Sequence, residues 1–87
     1  MKLSKDTLLE NKLTSLEDRR MREYQTIWNC EAEIEQLIRV QKESTIKEEV
    51  SLLGGHINRE KDEIAHCDRM IKVLDDLIDE IENELDL

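Results

Sequence analysis

Residues 50–57, with the sequence VSLLGGHI, interrupt a chain whose composition and spacing are otherwise typical of helix. Gly54 and Gly55 are the only glycines among its 87 residues, and it contains no proline. One glycine inside a helix costs about 1 kcal/mol relative to alanine, and glycine is the preferred residue at a left-handed C-terminal cap. The pair therefore predicts a turn at residues 54–56, between a first helix over about residues 8–53 and a second over about residues 57–86.

The hydrophobic phase around the glycines supports a different interpretation. Val50, Leu53, Ile57 and Ile64 keep one heptad phase straight across the pair, as a continuous rod would. A capping-box sequence at residues 45–48, where the phase of the first half ends, is also compatible with a kinked three-helix arrangement. A rod of 80 residues would be about 120 Å long and the hairpin about 70 Å, at 1.5 Å per residue. We predict the hairpin and leave the other two shapes as alternatives.

The second half carries the most regular pattern in the chain. Apolar residues recur every seven positions, and a second series follows three positions later, which is the a and d pattern of a coiled coil. Met70 and Leu77 widen this face beyond a two-stranded seam, as in a helix bundle. The sequence thus predicts an all-α fold, an antiparallel coiled-coil-like helical hairpin that self-associates into a helical bundle. The a and d positions are Ile57, Glu60, Ile64, Cys67, Ile71, Leu74, Ile78, Ile81 and Leu85, of which only Glu60 is not apolar.

A turn at residues 54–56 would leave the first helix longer than the second. Residues 8–22 would then overhang with an uncovered apolar stripe, which predicts a homodimer, in the form of a four-helix bundle, or another protein partner. Met21, Tyr24 and Trp28 lie beside the seam, and they either widen it toward a second helix pair or form an interface hot spot. The residues predicted to bind a partner are Leu9, Leu13, Leu16, Met21, Tyr24 and Trp28.

The net charge of −9 is concentrated toward the C-terminus, because residues 56–87 hold four basic and eleven acidic residues. Such a chain is repelled by nucleic acid and by anionic membranes, so we expect no direct nucleic-acid or membrane partner. The acids do suggest an alternative function, in which a row of carboxylates mimics nucleic-acid phosphates and occupies a basic groove of a target protein. The acidic surface consists of Asp75, Asp76, Asp79, Glu80, Glu82, Glu84 and Asp86.

Reactive side chains form no recognisable motif. His56, His66 and Cys67 lack metal-ligand spacing, since the last two are adjacent and point to different sides of a helix. Cys30 and Cys67 occupy d positions, where thiols act as small hydrophobes. The sequence therefore predicts no metal, no cofactor and no enzyme activity. Two cysteines without a signal peptide predict a cytoplasmic or otherwise intracellular protein.

These observations favour a binding function. The chain is predicted to be a small acidic helical protein-interaction module, an adaptor, assembly factor or inhibitor that acts through amphipathic helix faces. The nucleic-acid mimic is the alternative, and an enzyme is a distant third.

Overall fold

A computed structural model describes residues 4–86, which form two helices of equal length that pack side by side. Helix α1 spans Lys5–Glu43 and helix α2 spans Lys47–Leu85, each with 39 residues. The principal extents of the molecule are 66 × 21 × 17 Å. The predicted all-α hairpin is confirmed. The longest extent of the molecule, 66 Å, matches the about 70 Å expected for a hairpin and not the about 120 Å expected for a rod.

The chain reverses at residues 44–46, so the predicted turn at residues 54–56 is wrong, and so are the helix boundaries derived from it. Ser44 and Ile46 are both extended, with φ/ψ of −76°/136° and −98°/117°. Any L-residue adopts these angles, and no described glycine has a positive φ. The reversal therefore needs no glycine. The capping-box sequence over residues 45–48 coincides with this break, although α2 begins after Ile46 without a side-chain cap.

Side chains and backbone groups close the turn locally. The Ser44 N–H donates to the carbonyl oxygens of Val40 and Gln41, and the Ile46 N–H donates to Ser44 Oγ at 3.3 Å. The Gln41 amide nitrogen donates to the carbonyl oxygen of Val50 at 3.0 Å and so ties the end of α1 to the first turns of α2. The Ser44 N–H thereby satisfies two of the last four carbonyl groups of α1, which lack a donor within the helix.

Gly54 and Gly55 lie within α2, and the heptad phase that passes through them is the phase of one continuous helix. A Cβ atom at Gly54 would meet Gln41 Nε2 at 3.4 Å, whereas one at Gly55 would meet nothing within 4 Å. Each glycine lowers the stability of the helix by about 1 kcal/mol relative to alanine. The burial of seam residues on both sides of the pair, including Ile57, offsets this loss.

At the other end of α1, Ser4 is the N-cap, and its Oγ accepts a hydrogen bond from the Thr7 N–H at 3.1 Å. The helix thus begins at Lys5, slightly earlier than the predicted start near residue 8.

The core is a seam along the whole interface, with its central cluster formed by Ile27, Cys67 and Ile71 and extended by the partly buried Ile64. The two helices contribute to it unequally. From α1 only Ile27 and Cys30 are buried, whereas from α2 the buried residues are Ile57, Cys67, Ile71, Leu74, Ile78 and Ile81.

Equal helices leave no overhang, so the prediction that residues 8–22 extend uncovered is wrong. The error follows from the misplaced turn. Leu9, Leu13 and Leu16 are half-buried, and Leu9 lines a groove together with Leu77 and Ile81 of α2. Their role in binding a partner stays a prediction. Neither of the two described helices is long and apolar enough to cross a membrane.

Candidate functional site

The aromatic stripe, which we define as Met21, Tyr24 and Trp28, contains the single tyrosine and the single tryptophan of a chain without phenylalanine. Trp28 is 55% exposed, Met21 50% and Tyr24 37%. The rings of Tyr24 and Trp28 stack with centroids 6.1 Å apart and an interplanar angle of 24°. The stripe is therefore a preformed apolar surface that nothing in residues 4–86 covers.

The heptad phase of α1 explains why these side chains face outward. Seam positions fall at Arg20, Glu23 and Ile27, which are partly or fully buried. Residues 21, 24 and 28 each lie one position further round the helix, beside the seam rather than on it. A group that covers the stripe must therefore come from outside residues 4–86.

A second apolar surface, the α2 stripe, consists of Met70, Val73 and Leu77. Val73 is 53% exposed and Leu77 37%, while Met70 is half-buried. In an antiparallel pair the e positions of both helices share one side of the seam and the g positions share the other. Tyr24 is an e residue and Met70 and Leu77 are g residues, so the two stripes lie on opposite sides of the hairpin.

One residue of the acidic surface, Asp75, forms an ion pair with α1. The Arg20 guanidinium donates to Asp75 Oδ1 at 2.8 Å, and this hydrogen bond, the largest influence, raises the pKa of Arg20. Within residues 4–86, the other six acids have no basic group within 4.0 Å. Five of the seven are exposed, namely Asp76, Asp79, Glu80, Glu84 and Asp86, while Asp75 and Glu82 are half-buried.

Both cysteines are buried free thiols, consistent with their predicted seam positions. Burial, reinforced by the nearby Glu60, raises the pKa of Cys30 to about 11. Burial also raises the pKa of Cys67 to about 12, with Glu23 of α1 the next contributor. Cys67 Sγ also lies 3.9 Å from Glu63 Oε1. Because the thiolate is the nucleophile, these two thiols are held in their unreactive form at neutral pH.

The hairpin also brings together a cluster that the sequence did not predict. His56 Nε2 lies 3.6 Å from Glu33 Oε1 of α1 and 3.8 Å from Glu60 Oε1 of α2. The misplaced turn put Glu33 far from His56, which is why the cluster was missed. The available signal was the i,i+4 spacing of His56 and Glu60, which places both on one helix face. His66, by contrast, is exposed and outside the cluster.

Two shallow grooves follow the seam. One of about 400 Å³ lies where the start of α1 meets the end of α2, with Leu9, Lys12, Leu77, Ile81 and Glu84 among its lining residues. The other, of about 210 Å³, is lined by Asp68, Arg69, Ile71, Lys72 and Asp75 of α2. The absence of enzyme activity stays a prediction.

No protein-family model matches the chain, and no curated protein or solved structure is significantly similar to it. A function must therefore be inferred from the surfaces described above.

Proposed function

We propose that the hairpin is a protein-interaction module that docks an amphipathic helix of a partner protein along the aromatic stripe of α1. The observation that carries this proposal is the exposure of Trp28, 55%, on a helix whose seam already packs against α2. Trp and Tyr are enriched at the energetic centres of interfaces because they bury a large area at little cost in side-chain entropy.

The shape of the stripe favours a helix as its occupant. Residues 21, 24 and 28 follow the 3,4 spacing of one helix face, so they form a ridge along α1. A helix placed beside such a ridge would make a third helix of a bundle, with anchors at i, i+3, i+4 and i+7. The net charge of −9 favours a partner helix with basic residues at its flanks.

The proposal includes a second copy of the chain on the opposite side. The α2 stripe, centred on Val73, would pair with the same stripe of a second hairpin about a twofold axis and give the four-helix bundle. Light scattering at micromolar concentration tests this part. We expect a dimer for the natural chain and for Trp28→Ala, and a folded monomer for Val73→Glu. A monomeric natural chain would remove the homodimer from the proposal.

Affinity capture from native cell extract tests the docking stripe. The natural chain, Trp28→Ala and Val73→Ala serve as baits at low and high salt, with mass spectrometry of the retained proteins. We expect one or more proteins that bind the natural chain and Val73→Ala at both salt concentrations and are lost with Trp28→Ala. Retention that is independent of Trp28 would contradict docking on the stripe.

The acidic surface supports the second candidate, a nucleic-acid mimic, because five of its seven acids are exposed near the end of α2. Contacts made by exposed charges are screened by salt, with a Debye length of about 8 Å at physiological ionic strength. A partner of this kind would dissociate from the bait at high salt and would bind Trp28→Ala as well as it binds the natural chain. It would not bind the triple variant Asp79→Asn, Glu80→Gln, Glu84→Gln. The same capture experiment thus separates the two functions.

A further inference from the structure

We propose that Glu33, His56 and Glu60 form an interhelical binding site for a borderline divalent transition-metal ion, with Zn²⁺ as the ion to test. The site joins one residue of α1 to two residues of α2, and it is independent of both apolar stripes.

The ligand atoms already lie at nearly the separations that a metal requires. One nitrogen and two carboxylate oxygens are all within 4.8 Å of one another, and His56 Nε2 lies 3.6 and 3.8 Å from the two oxygens. Zinc binds nitrogen and oxygen at about 2.0–2.2 Å in tetrahedral geometry, which sets its ligands roughly 3.3–3.6 Å apart. Small side-chain rotations are enough to close the remaining gap.

The local charge also favours a cation. Glu60 occupies a seam position beside Cys30, and its side chain is only 19% exposed. A similar seam acid, Glu23 beside Cys67, has the cation Arg19 at 3.9 Å. Among the described residues, Glu60 and Glu33 have no Lys or Arg within 4.0 Å, and their one basic neighbour is His56. Two carboxylates thus converge on one imidazole, and a divalent ion would neutralise both.

The donor set indicates the class of ion. Ca²⁺ and Mg²⁺ prefer six or more oxygen ligands, whereas one imidazole and two carboxylates suit Zn²⁺ and related ions. Three protein ligands leave a fourth position for water. Cys30 is not counted as a ligand, because its sulfur is not among the clustered ligand atoms.

Such a site would hold α1 against α2 directly beside Gly54 and Gly55, which weaken α2. Because the unfolded chain lacks the site, metal binding would add to the free energy of unfolding.

Isothermal titration with ZnCl₂, together with thermal unfolding followed by circular dichroism in ZnCl₂ or in EDTA, tests the site. Glu33→Gln and His56→Ala remove ligands, and Glu31→Gln and His66→Ala are matched controls that change an exposed glutamate and histidine elsewhere. We expect one Zn²⁺ per chain, with an affinity that is independent of protein concentration. Glu33→Gln and His56→Ala should each weaken binding by about tenfold or more, and both controls should bind as the natural chain does.

Three outcomes would overturn the inference. The first is the absence of saturable Zn²⁺ binding or of a Zn²⁺-dependent rise in melting temperature. The second is a loss of affinity in His66→Ala or Glu31→Gln equal to that in the ligand variants, which would indicate diffuse binding to an acidic surface. The third is Mg²⁺ binding as tight as Zn²⁺ binding. Glu33 is 47% exposed, so Glu33→Gln keeps the test valid even if His56→Ala fails to fold.

Discussion

The two helices have the same length and pack against each other along one interface, yet they bury very different surfaces. Helix α2 places six residues in the core and α1 only two. The cause lies in the seam of α1, where Arg20, Glu23 and Gln41 occupy positions that α2 mostly fills with Ile and Leu. The difference suggests that α2 supplies most of the buried side chains that stabilise the hairpin and α1 few of them.

The largest expected change in stability comes from truncating a seam residue of each helix, in the variants Ile78→Ala and Leu13→Ala. Ile78 is 2% exposed, so its truncation leaves a cavity and is expected to cost about 3 kcal/mol. Leu13 is half-buried and loses less buried area, so we expect about 1–2 kcal/mol. Urea unfolding of both variants and the natural chain provides the values. Equal losses would contradict the unequal contribution of the helices.

The buried thiols predict a loss of stability at alkaline pH. Both pKa values are raised in the folded chain, so the folded state keeps protons that the unfolded state releases above about pH 9. The contribution of the two thiols to the free energy of unfolding is therefore constant below about pH 9. It falls by up to about 1.4 kcal/mol per pH unit for each thiol as pH rises toward about 11 for Cys30 and about 12 for Cys67.

Urea unfolding between pH 8 and pH 11 measures this slope, with Cys30→Ala and Cys67→Ala each expected to reduce it. Because Cys67 is 1% exposed and Cys30 7%, the Cys67 variant should show the larger reduction at the upper end of the range. An unchanged slope in both variants would show that other groups dominate the alkaline transition.

Gly55→Ala should increase stability by about 1 kcal/mol, because Gly55 lies inside α2 with open space at the Cβ position. Gly54→Ala should gain less, since its Cβ must share space with the Gln41 amide at 3.4 Å. Thermal melting monitors both changes. Loss of the hairpin in Gly55→Ala would mean that the glycine pair has a role in the reversal after all.

The smallest expected change is that of Trp28→Ala in the isolated chain. With 55% of its surface exposed, Trp28 contributes little to the packing of α1 on α2, and we expect a loss within about 1 kcal/mol. Urea unfolding under conditions in which the chain is monomeric gives this value. A loss of 3 kcal/mol or more would identify Trp28 as a core residue and would remove the basis for a docking role.

The fold class followed from the heptads of α2, because a period of 3.5 over four repeats has few structural solutions. The position of the turn did not follow, because the Gly54–Gly55 pair is typical of a turn, although the heptad phase continues from Val50 to Ile64 through one helix. The signal for the true turn was the loss of phase after Gln41 together with the capping-box sequence at residues 45–48. Extended residues such as Ser44 and Ile46 carry no strong sequence signature.

The candidate sites were predictable to different degrees. The exposure of Met21, Tyr24 and Trp28 beside the seam follows from the phase of α1 alone, whatever the turn. The cluster of Glu33, His56 and Glu60 depends on the register between the helices, and that register is fixed by the turn. An error of about three helical turns in the reversal was therefore enough to conceal it.

We also expect the Ser44–Ile46 turn to influence the order in which the interface forms. Gln41 and Val50, the pair bonded closest to the turn, are separated by nine residues, whereas Arg20 and Asp75 are separated by 55. Each interhelical contact that forms shortens the loop that the next contact must close. Contacts can therefore form one after another from the turn outward. With no proline in the chain, no slow peptide-bond isomerisation interrupts this progress. We therefore expect the contacts farthest from the turn to form last and to open first.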